Sequence, residues 1–180
     1  PRRLTTALGD EHDIAWSPDG KSVSYMAQPA RMKSERIYTV AVAGGTPTNV
    51  LGDWTYEPDG YQWLPNGEIL FPAAVGGRTA LFALSPKTRS PREILGGRRR
   101  MSGFATDAAR RMVAYVATSM TSPTELYVAD VNGRNERKLT SLNDKLNSEI
   151  AWSDAERFTY PSVGGLEIEG WVMKPYGYVP

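Results

Sequence analysis

One short phrase recurs along the chain: an aromatic residue, a tight turn and then the start of a strand. Residues 16–20 read Trp-Ser-Pro-Asp-Gly, residues 63–67 read Trp-Leu-Pro-Asn-Gly, and weaker copies begin at Phe104 and Trp152. The aromatic residues at positions 16, 63, 104 and 152 are therefore 47, 41 and 48 residues apart. A period of about 40 to 50 residues is typical of a propeller blade or a similar array. Because one such unit cannot bury its own apolar face, the repeat predicts units packed side by side.

Within each unit, apolar and polar residues alternate with a period of two, which predicts β-strands. Val23 and Tyr25 alternate with serines, and the Asn132-Gly133 pair of the third unit is typical of a hairpin turn. Three units are full, over about residues 14–51, 61–95 and 103–140, and helix signals are weak. The predicted fold is all-β: a β-propeller fragment of about three full four-stranded blades plus a partial fourth. The recurring aromatic residue is predicted to pack between neighbouring blades and to have no binding role.

Composition limits the partners of this chain more than it identifies them. Hydrophobic residues make up 41% and charged residues 23%, so a packed core is expected. With 21 basic and 20 acidic residues, the net charge of +1 favours neither a nucleic-acid nor a membrane partner. The chain has no cysteine, which excludes disulfides. No signal peptide is recognisable, which favours a cytoplasmic location, with a removed signal as the open alternative.

The fourth unit departs from the repeat. It starts at residues 150–152 and continues through residues 157–162, but residues 166–175 then read Leu-Glu-Ile-Glu-Gly-Trp-Val-Met-Lys-Pro. Residues 139–143, 156–162 and 168–175 together resemble the prolyl oligopeptidase family of serine peptidases, in its acylaminoacyl-peptidase and dipeptidyl-peptidase-like branch. In that family such a stretch leaves the propeller as the first strand of an α/β-hydrolase domain.

The resemblance implies an organisation for the chain. Residues 1–163 would be blades of a partial ring, and residues 164–180 an exit strand or linker towards a hydrolase domain. In such enzymes the propeller covers the active site and admits only short, flexible peptides. The expected partners are therefore short peptides, the rest of the same enzyme or further copies, and no cofactor is expected. The alternative is a TolB-like propeller that serves as a protein-interaction scaffold, which would not need an exit strand.

The catalytic residues of that family are not expected here. The sequence contains no G-x-S-x-G motif, and its only histidine is His12, near the opposite end from the family's catalytic histidine. No catalytic residue is therefore predicted. The chain is expected to be a piece of a longer serine peptidase and to have no hydrolase activity by itself.

Four arginines are candidates for a substrate-gating role. Arg31 and Arg36 lie in a long predicted hairpin loop, and Arg98 and Arg99 lie in the Arg-Arg-Arg run at residues 98–100. An arginine that faces a propeller channel could pair with the C-terminal carboxylate of a peptide, because the guanidinium fork matches that group. The alternatives are a salt-bridged surface loop for the first pair and an exposed connection for the run. Three successive arginines of a strand cannot all point the same way.

Two acidic segments are weaker candidates for a functional site. His12 lies between Glu11 and Asp13, which suggests either a metal site or, as the favoured interpretation, a solvated loop before the first strand. No metal is predicted. A second group of carboxylates, Asp53, Glu57 and Asp59, is either a solvated inter-blade loop or a site for the amino group of a substrate.

Overall fold

The computed structural model describes residues 2–5 and 10–179, in which short strands follow one another with little helix. The first blade contains β1 (His12–Trp16), β2 (Ser22–Ala27), β3 (Arg36–Ala41) and β4 (Thr48–Asn49). The second contains β5 (Gln62–Trp63), β6 (Ile69–Val75), β7 (Arg78–Leu84) and β8 (Arg92–Leu95). The third contains β9 (Arg100–Thr106), β10 (Met112–Ser119), β11 (Ser122–Asp130) and β12 (Arg137–Lys138). Helix α1 (Asp144–Glu149), β13 (Ala155–Pro161), a 3-10 turn (Val163–Gly165) and β14 (Glu167–Met173) complete the chain.

Each group of four strands forms one antiparallel sheet in chain order. This arrangement confirms the predicted all-β propeller fragment with three four-stranded blades. Helix α1 is a finding that the weak helix signals of the sequence did not predict. The sequence analysis placed the start of the fourth unit at residues 150–152. The strand begins only at Ala155. No helix among the described residues is long and apolar enough to cross a membrane.

The fourth unit is a two-stranded hairpin. Strand β13 pairs with β14 along its whole length, from Ala155 opposite Met173 to Pro161 opposite Glu167. The predicted boundary between the blades and the exit strand, between residues 163 and 164, falls in the turn of this hairpin. This division into two parts stays a prediction. The first and last residues of the two predicted parts, 1 and 180, lie outside the described residues. The hairpin pairs with none of the three blade sheets.

The main core lies between the blades, where the apolar faces of the sheets meet. Phe71 and Phe82 face each other across β6 and β7 with ring centroids 5.7 Å apart. Trp54, from the connection between the first two blades, contacts both rings edge-on at 5.3 and 5.1 Å. Such edge-to-face contacts are favourable for aromatic rings. The inter-blade connection is thereby fixed to the second blade.

The recurring aromatic residue packs between blades as predicted in the second blade, stacks within its own blade in the third, and is exposed in the first. Trp63 is buried, and its Nε1 donates a hydrogen bond to Ser24 Oγ of the first blade at 2.7 Å. Phe104 stacks on Tyr115 at 5.6 Å. Trp16, in contrast, is 61% exposed, so its predicted packing between blades is wrong for this chain. Trp63 packs back on the preceding blade, and no described segment forms a blade before β1.

The antiparallel order brings two kinds of loop to the same end of the sheets. These are the turns between the second and third strands of each blade, at residues 28–35, 76–77 and 120–121, and the connections between blades, at residues 50–61 and 96–99. We call this end the connection end. The hairpin of β13 and β14 contacts the blades here, through Trp171 and Arg98.

A buried carboxylate on β11 holds the segment that leads from the third blade to the hairpin. Glu125 accepts hydrogen bonds from the Thr140 hydroxyl, from the Asn143 amide at 2.8 Å and from the Leu142 amide at 3.2 Å. These donors, with the Thr140 hydroxyl foremost, lower the pKa of Glu125 to about 2 although burial opposes the shift.

Replacing Glu125 with glutamine is expected to lower the melting temperature by several degrees near neutral pH, because one amide oxygen cannot replace the carboxylate's acceptors. The folded pKa of Glu125 lies below its ordinary value of 4.5, so ionisation stabilises the fold above that value. This contribution is lost as the pH falls from about 4.5 to about 2. Thermal unfolding of both proteins from pH 7 to pH 2 should show the difference narrowing in that window. A constant difference across the range would contradict the assignment.

Candidate functional site

A cavity of about 1170 Å³ lies at the connection end, between the second blade, the third blade and the hairpin. Its walls come from the turn at residues 75–78, the connection and strand start at residues 98–100, the turn at residues 118–120 and the hairpin residues 154–157. Tyr56, Glu169 and Trp171 complete the lining. Three separate elements therefore have to be in place before this cavity exists.

The hairpin closes one side of the cavity through two contacts. Trp171 lies over Gly77, so close that a Cβ on that glycine would be 2.5 Å from Trp171 Cζ2. The backbone of Gly77 has a φ of +71°, which an L side chain rarely adopts. The second contact is at the start of β13. Arg98, from the connection before β9, pairs with Asp154 at 3.0 Å and also donates to the carbonyl oxygen of Ala155.

Most charged side chains around the cavity are neutralised in pairs. Four of its five lining arginines each have a carboxylate partner, in the pairs Arg78–Glu93, Arg98–Asp154, Arg99–Glu136 and Arg157–Glu169. The lining carboxylates Asp154 and Glu169 belong to these pairs, and the third, Glu156, pairs with Lys174 at 2.9 Å. The exception is Arg100, which forms no ion pair and no side-chain hydrogen bond with any residue of 2–5 or 10–179.

The structure places Arg98 and Arg99 at this cavity and shows what each one contacts. Arg99 donates from Nε to the Gly96 carbonyl at 2.7 Å, and its guanidinium lies over the rings of Tyr115 and Tyr127 at 5.8 and 5.6 Å. Such cation–π contacts favour a fixed side chain. Arg99 thus braces the connection against the third blade. The substrate-gating roles of Arg98 and Arg99 stay predictions.

The limit on three successive strand arginines does not apply to this run. All three line the same cavity, because only Arg100 belongs to a strand. Arg98 and Arg99 lie in the connection before β9, so the alternation of a strand does not apply to them. Residues 98 and 99 thus lie in a connection between blades, which is the alternative that the sequence analysis gave for the run.

Arg31 and Arg36 do not line this cavity. Arg31 is exposed in the loop between β2 and β3. Arg36 opens β3 and donates to the carbonyl oxygens of Glu35 at 3.0 Å and Tyr56 at 3.1 Å. Since Tyr56 belongs to the cavity wall, Arg36 supports that wall from behind. The substrate-gating roles of both arginines stay predictions.

His12 is the first residue of β1, so the predicted solvated loop is wrong at this position. A register shift between His12 and Ala15 lets His12 pair with Met26 of β2. Its Nε2 contacts Glu35 Oε1 at 2.9 Å, and this hydrogen bond is the main reason that the pKa of His12 is raised. Within the described part of the chain, no group of three or more His, Cys, Asp or Glu side chains could hold a metal ion.

The acidic residues between the first two blades do not form one cluster. Glu57 accepts a hydrogen bond from the Glu35 amide at 3.0 Å, which joins the connection to the β2–β3 loop. Asp59 lines a second cavity of about 280 Å³ beside Tyr61 and Phe104. The predicted inter-blade loop fits these positions, and the amino-group site stays a prediction.

Sequence reasoning missed the contact between Gly77 and Trp171 and the special position of Arg100. The paired glycines at residues 76–77 were a usable signal, because a glycine in a hairpin turn often marks a close approach by another group. Nothing in the sequence distinguishes Arg100 from its two neighbours, since the difference lies in the acidic partners that only the fold supplies.

Comparison with known proteins finds that these blades are similar to parts of peptidases. No protein-family model matches the chain. The curated relatives include a probable dipeptidyl-peptidase 5 from Aspergillus niger, 23% identical over 178 residues, which cover 94% of this chain and 24% of the relative. The chain therefore spans about a quarter of the length of the curated relatives it matches.

Solved structures that match the chain also include peptidases. The acylaminoacyl peptidase of Pyrococcus horikoshii matches with a TM-score of 0.68 and 26% identity, over 87% of this chain and 24% of that one. The β-propeller domain of the trilobed protease from Pyrococcus furiosus matches with a TM-score of 0.55 and 21% identity, over 70% and 37% of the two chains. A TolB protein from Agrobacterium tumefaciens matches with a TM-score of 0.60 and 21% identity, over 78% of this chain and 52% of that one.

The two likenesses at 21% identity show the fold alone. The dipeptidyl-peptidase and acylaminoacyl-peptidase matches extend over most of the chain and agree with the resemblance drawn from residues 139–175. The resemblance to the propeller portion of prolyl oligopeptidase-family peptidases is therefore confirmed.

Proposed function

We propose that this chain is the substrate-gating propeller portion of a serine peptidase that hydrolyses short peptides of the dipeptidyl or acylaminoacyl type. The observation that carries the proposal is the cavity at the connection end, which lies between two blades and the β13–β14 hairpin. The hairpin contains the residues that resemble the entry to a hydrolase domain. A cavity walled by blades on one side and by that entry on the other fits a substrate chamber.

The physical basis of the gating is steric. The cavity volume of about 1170 Å³ suits a ligand somewhat larger than a drug-sized molecule. Short peptides are of that size, whereas a folded protein is not. The chamber is lined by backbone turns, paired charges and the rings of Tyr56 and Trp171, which form a preformed wall.

The rest of the enzyme is the proposed partner of the hairpin's outer surface. Strand residues alternate between faces, so the face of β14 turned away from the cavity carries Ile168 and Val172, both of which are exposed, and Leu166 in the flanking turn is exposed as well. Large apolar side chains exposed together on one face of a hairpin are typical of an interaction site. A hydrolase domain that continues from the hairpin would cover these side chains.

The proposal is tested with the gene that encodes this chain. The reading frame is expected to supply a G-x-S-x-G motif followed by Asp and His. The protein expressed from the whole frame should hydrolyse chromogenic dipeptidyl or acyl-peptide substrates, whereas the 180-residue chain alone should give no turnover above a heat-killed control. A whole protein without peptidase activity would refute the proposed function. Turnover by the 180-residue chain would refute the assignment of catalysis to another part.

A further inference from the structure

One charge in the cavity is left without a counter-charge. The other lining arginines and the lining carboxylates Asp154, Glu156 and Glu169 all belong to ion pairs. Arg100 lines the same cavity and contacts no carboxylate within residues 2–5 and 10–179. The cavity therefore has one unmatched positive charge, at a defined position.

Arg100 is also well placed to hold a ligand. It is the first residue of β9 and pairs across the sheet with Thr118 of β10, so its backbone is fixed by the blade. A guanidinium can donate two parallel hydrogen bonds to a carboxylate, and this geometry favours Arg over Lys as a carboxylate binder. The side chain is exposed and lines the cavity, and no acidic residue of the described chain forms an ion pair with it.

Apolar groups lie in the same cavity. Trp171 and Met120 both line it, and about half of each side chain is exposed. The same cavity thus offers a guanidinium for a carboxylate and apolar surface for a side chain. The C-terminal residue of a short peptide has both features on adjacent atoms.

We propose that Arg100 binds a carboxylate of the peptide substrate in this cavity, with an apolar side chain of the peptide against Trp171 and Met120. This proposal rests on the proposed peptidase function and specifies its substrate class. The peptidase would thus prefer peptides with a free carboxylate over the corresponding amides.

The test is calorimetric titration of the 180-residue chain with N-acetyl-Gly-Phe as the free acid and as the amide. Acetylation removes the charge of the amino end, so only the carboxylate differs. Because a hydrogen bond to a charged group is worth roughly a tenfold change in affinity or more, the acid should bind at least about tenfold more tightly than the amide. A third peptide, N-acetyl-Gly-Glu amide, shows whether a side-chain carboxylate is accepted as well.

The variant Arg100→Gln should bind the acid about tenfold more weakly and leave the affinity for the amide unchanged. Arg137→Gln is the matched control, because Arg137 is an exposed strand arginine outside the cavity. That control should bind all three peptides as the unchanged chain does.

Equal affinity for acid and amide, no measurable binding of either, or an Arg100→Gln variant that retains the preference would overturn the carboxylate site. None of these results would affect peptidase activity of the whole protein, which is measured separately. A whole protein without that activity, in contrast, would refute the proposed function even if Arg100 binds carboxylates.

Discussion

Replacing Trp63 with alanine is expected to destabilise the chain by about 3–5 kcal/mol, the usual cost of truncating a large buried aromatic side chain. The ring of Trp63 is 5% exposed and belongs to the main core between the blades. Its Nε1 donates to Ser24 Oγ of the first blade, so the substitution removes both packing and a link between two blades. Urea unfolding followed by circular dichroism measures the loss without relying on tryptophan fluorescence.

Trp16 provides the matched control, since it occupies the same position of the sequence repeat. Because 61% of Trp16 is exposed, its replacement with alanine should change the free energy of unfolding by no more than about 0.5 kcal/mol. The intermediate variant Trp63→Phe keeps a ring but loses the bond to Ser24, which should cost about 1 kcal/mol. Equal losses for the alanine variants at positions 16 and 63 would contradict the described packing.

The contrast between these two residues shows how far the sequence could predict the fold. The repeat and the period-two alternation were sufficient for the blades, because both are local patterns that any blade must have. They could not tell Trp16 from Trp63, because burial depends on which neighbour each side chain meets. Helix α1 was missed for a related reason: it has six residues, none of them buried, and so lacks an apolar periodicity.

The candidate site was less predictable than the fold. The sequence drew attention to residues 98–100 by their charge, and the structure places all three at the cavity. Their different roles depend on partners distant in sequence: Glu136 for Arg99, Asp154 for Arg98 and, among the described residues, none for Arg100. Such pairings arise from the way blades and hairpin pack, which no local pattern encodes.

Replacing Gly77 with alanine is expected to weaken the docking of the hairpin on the second blade. The new Cβ would lie 2.5 Å from Trp171 Cζ2, so the Trp171 ring would have to move out of its place in the cavity wall. Two costs add: about 1–2 kcal/mol for an L side chain at a φ of +71° and about 1–3 kcal/mol for the overlap. Urea unfolding of the variant measures their sum.

A Gly20→Ala variant distinguishes the backbone cost from the cost of the overlap. Its φ of +68° is nearly the same as that of Gly77, but a Cβ there would have no atom within 4 Å. Gly20→Ala should therefore show the backbone cost alone. The double variant of Gly77→Ala with Trp171→Ala completes the argument, because residues in direct contact give non-additive changes. Without the Trp171 ring, Gly77→Ala should cost no more than Gly20→Ala. A Gly77→Ala penalty that is unchanged by the loss of Trp171 would mean that the hairpin does not rest on this turn, and the cavity would lose one of its walls.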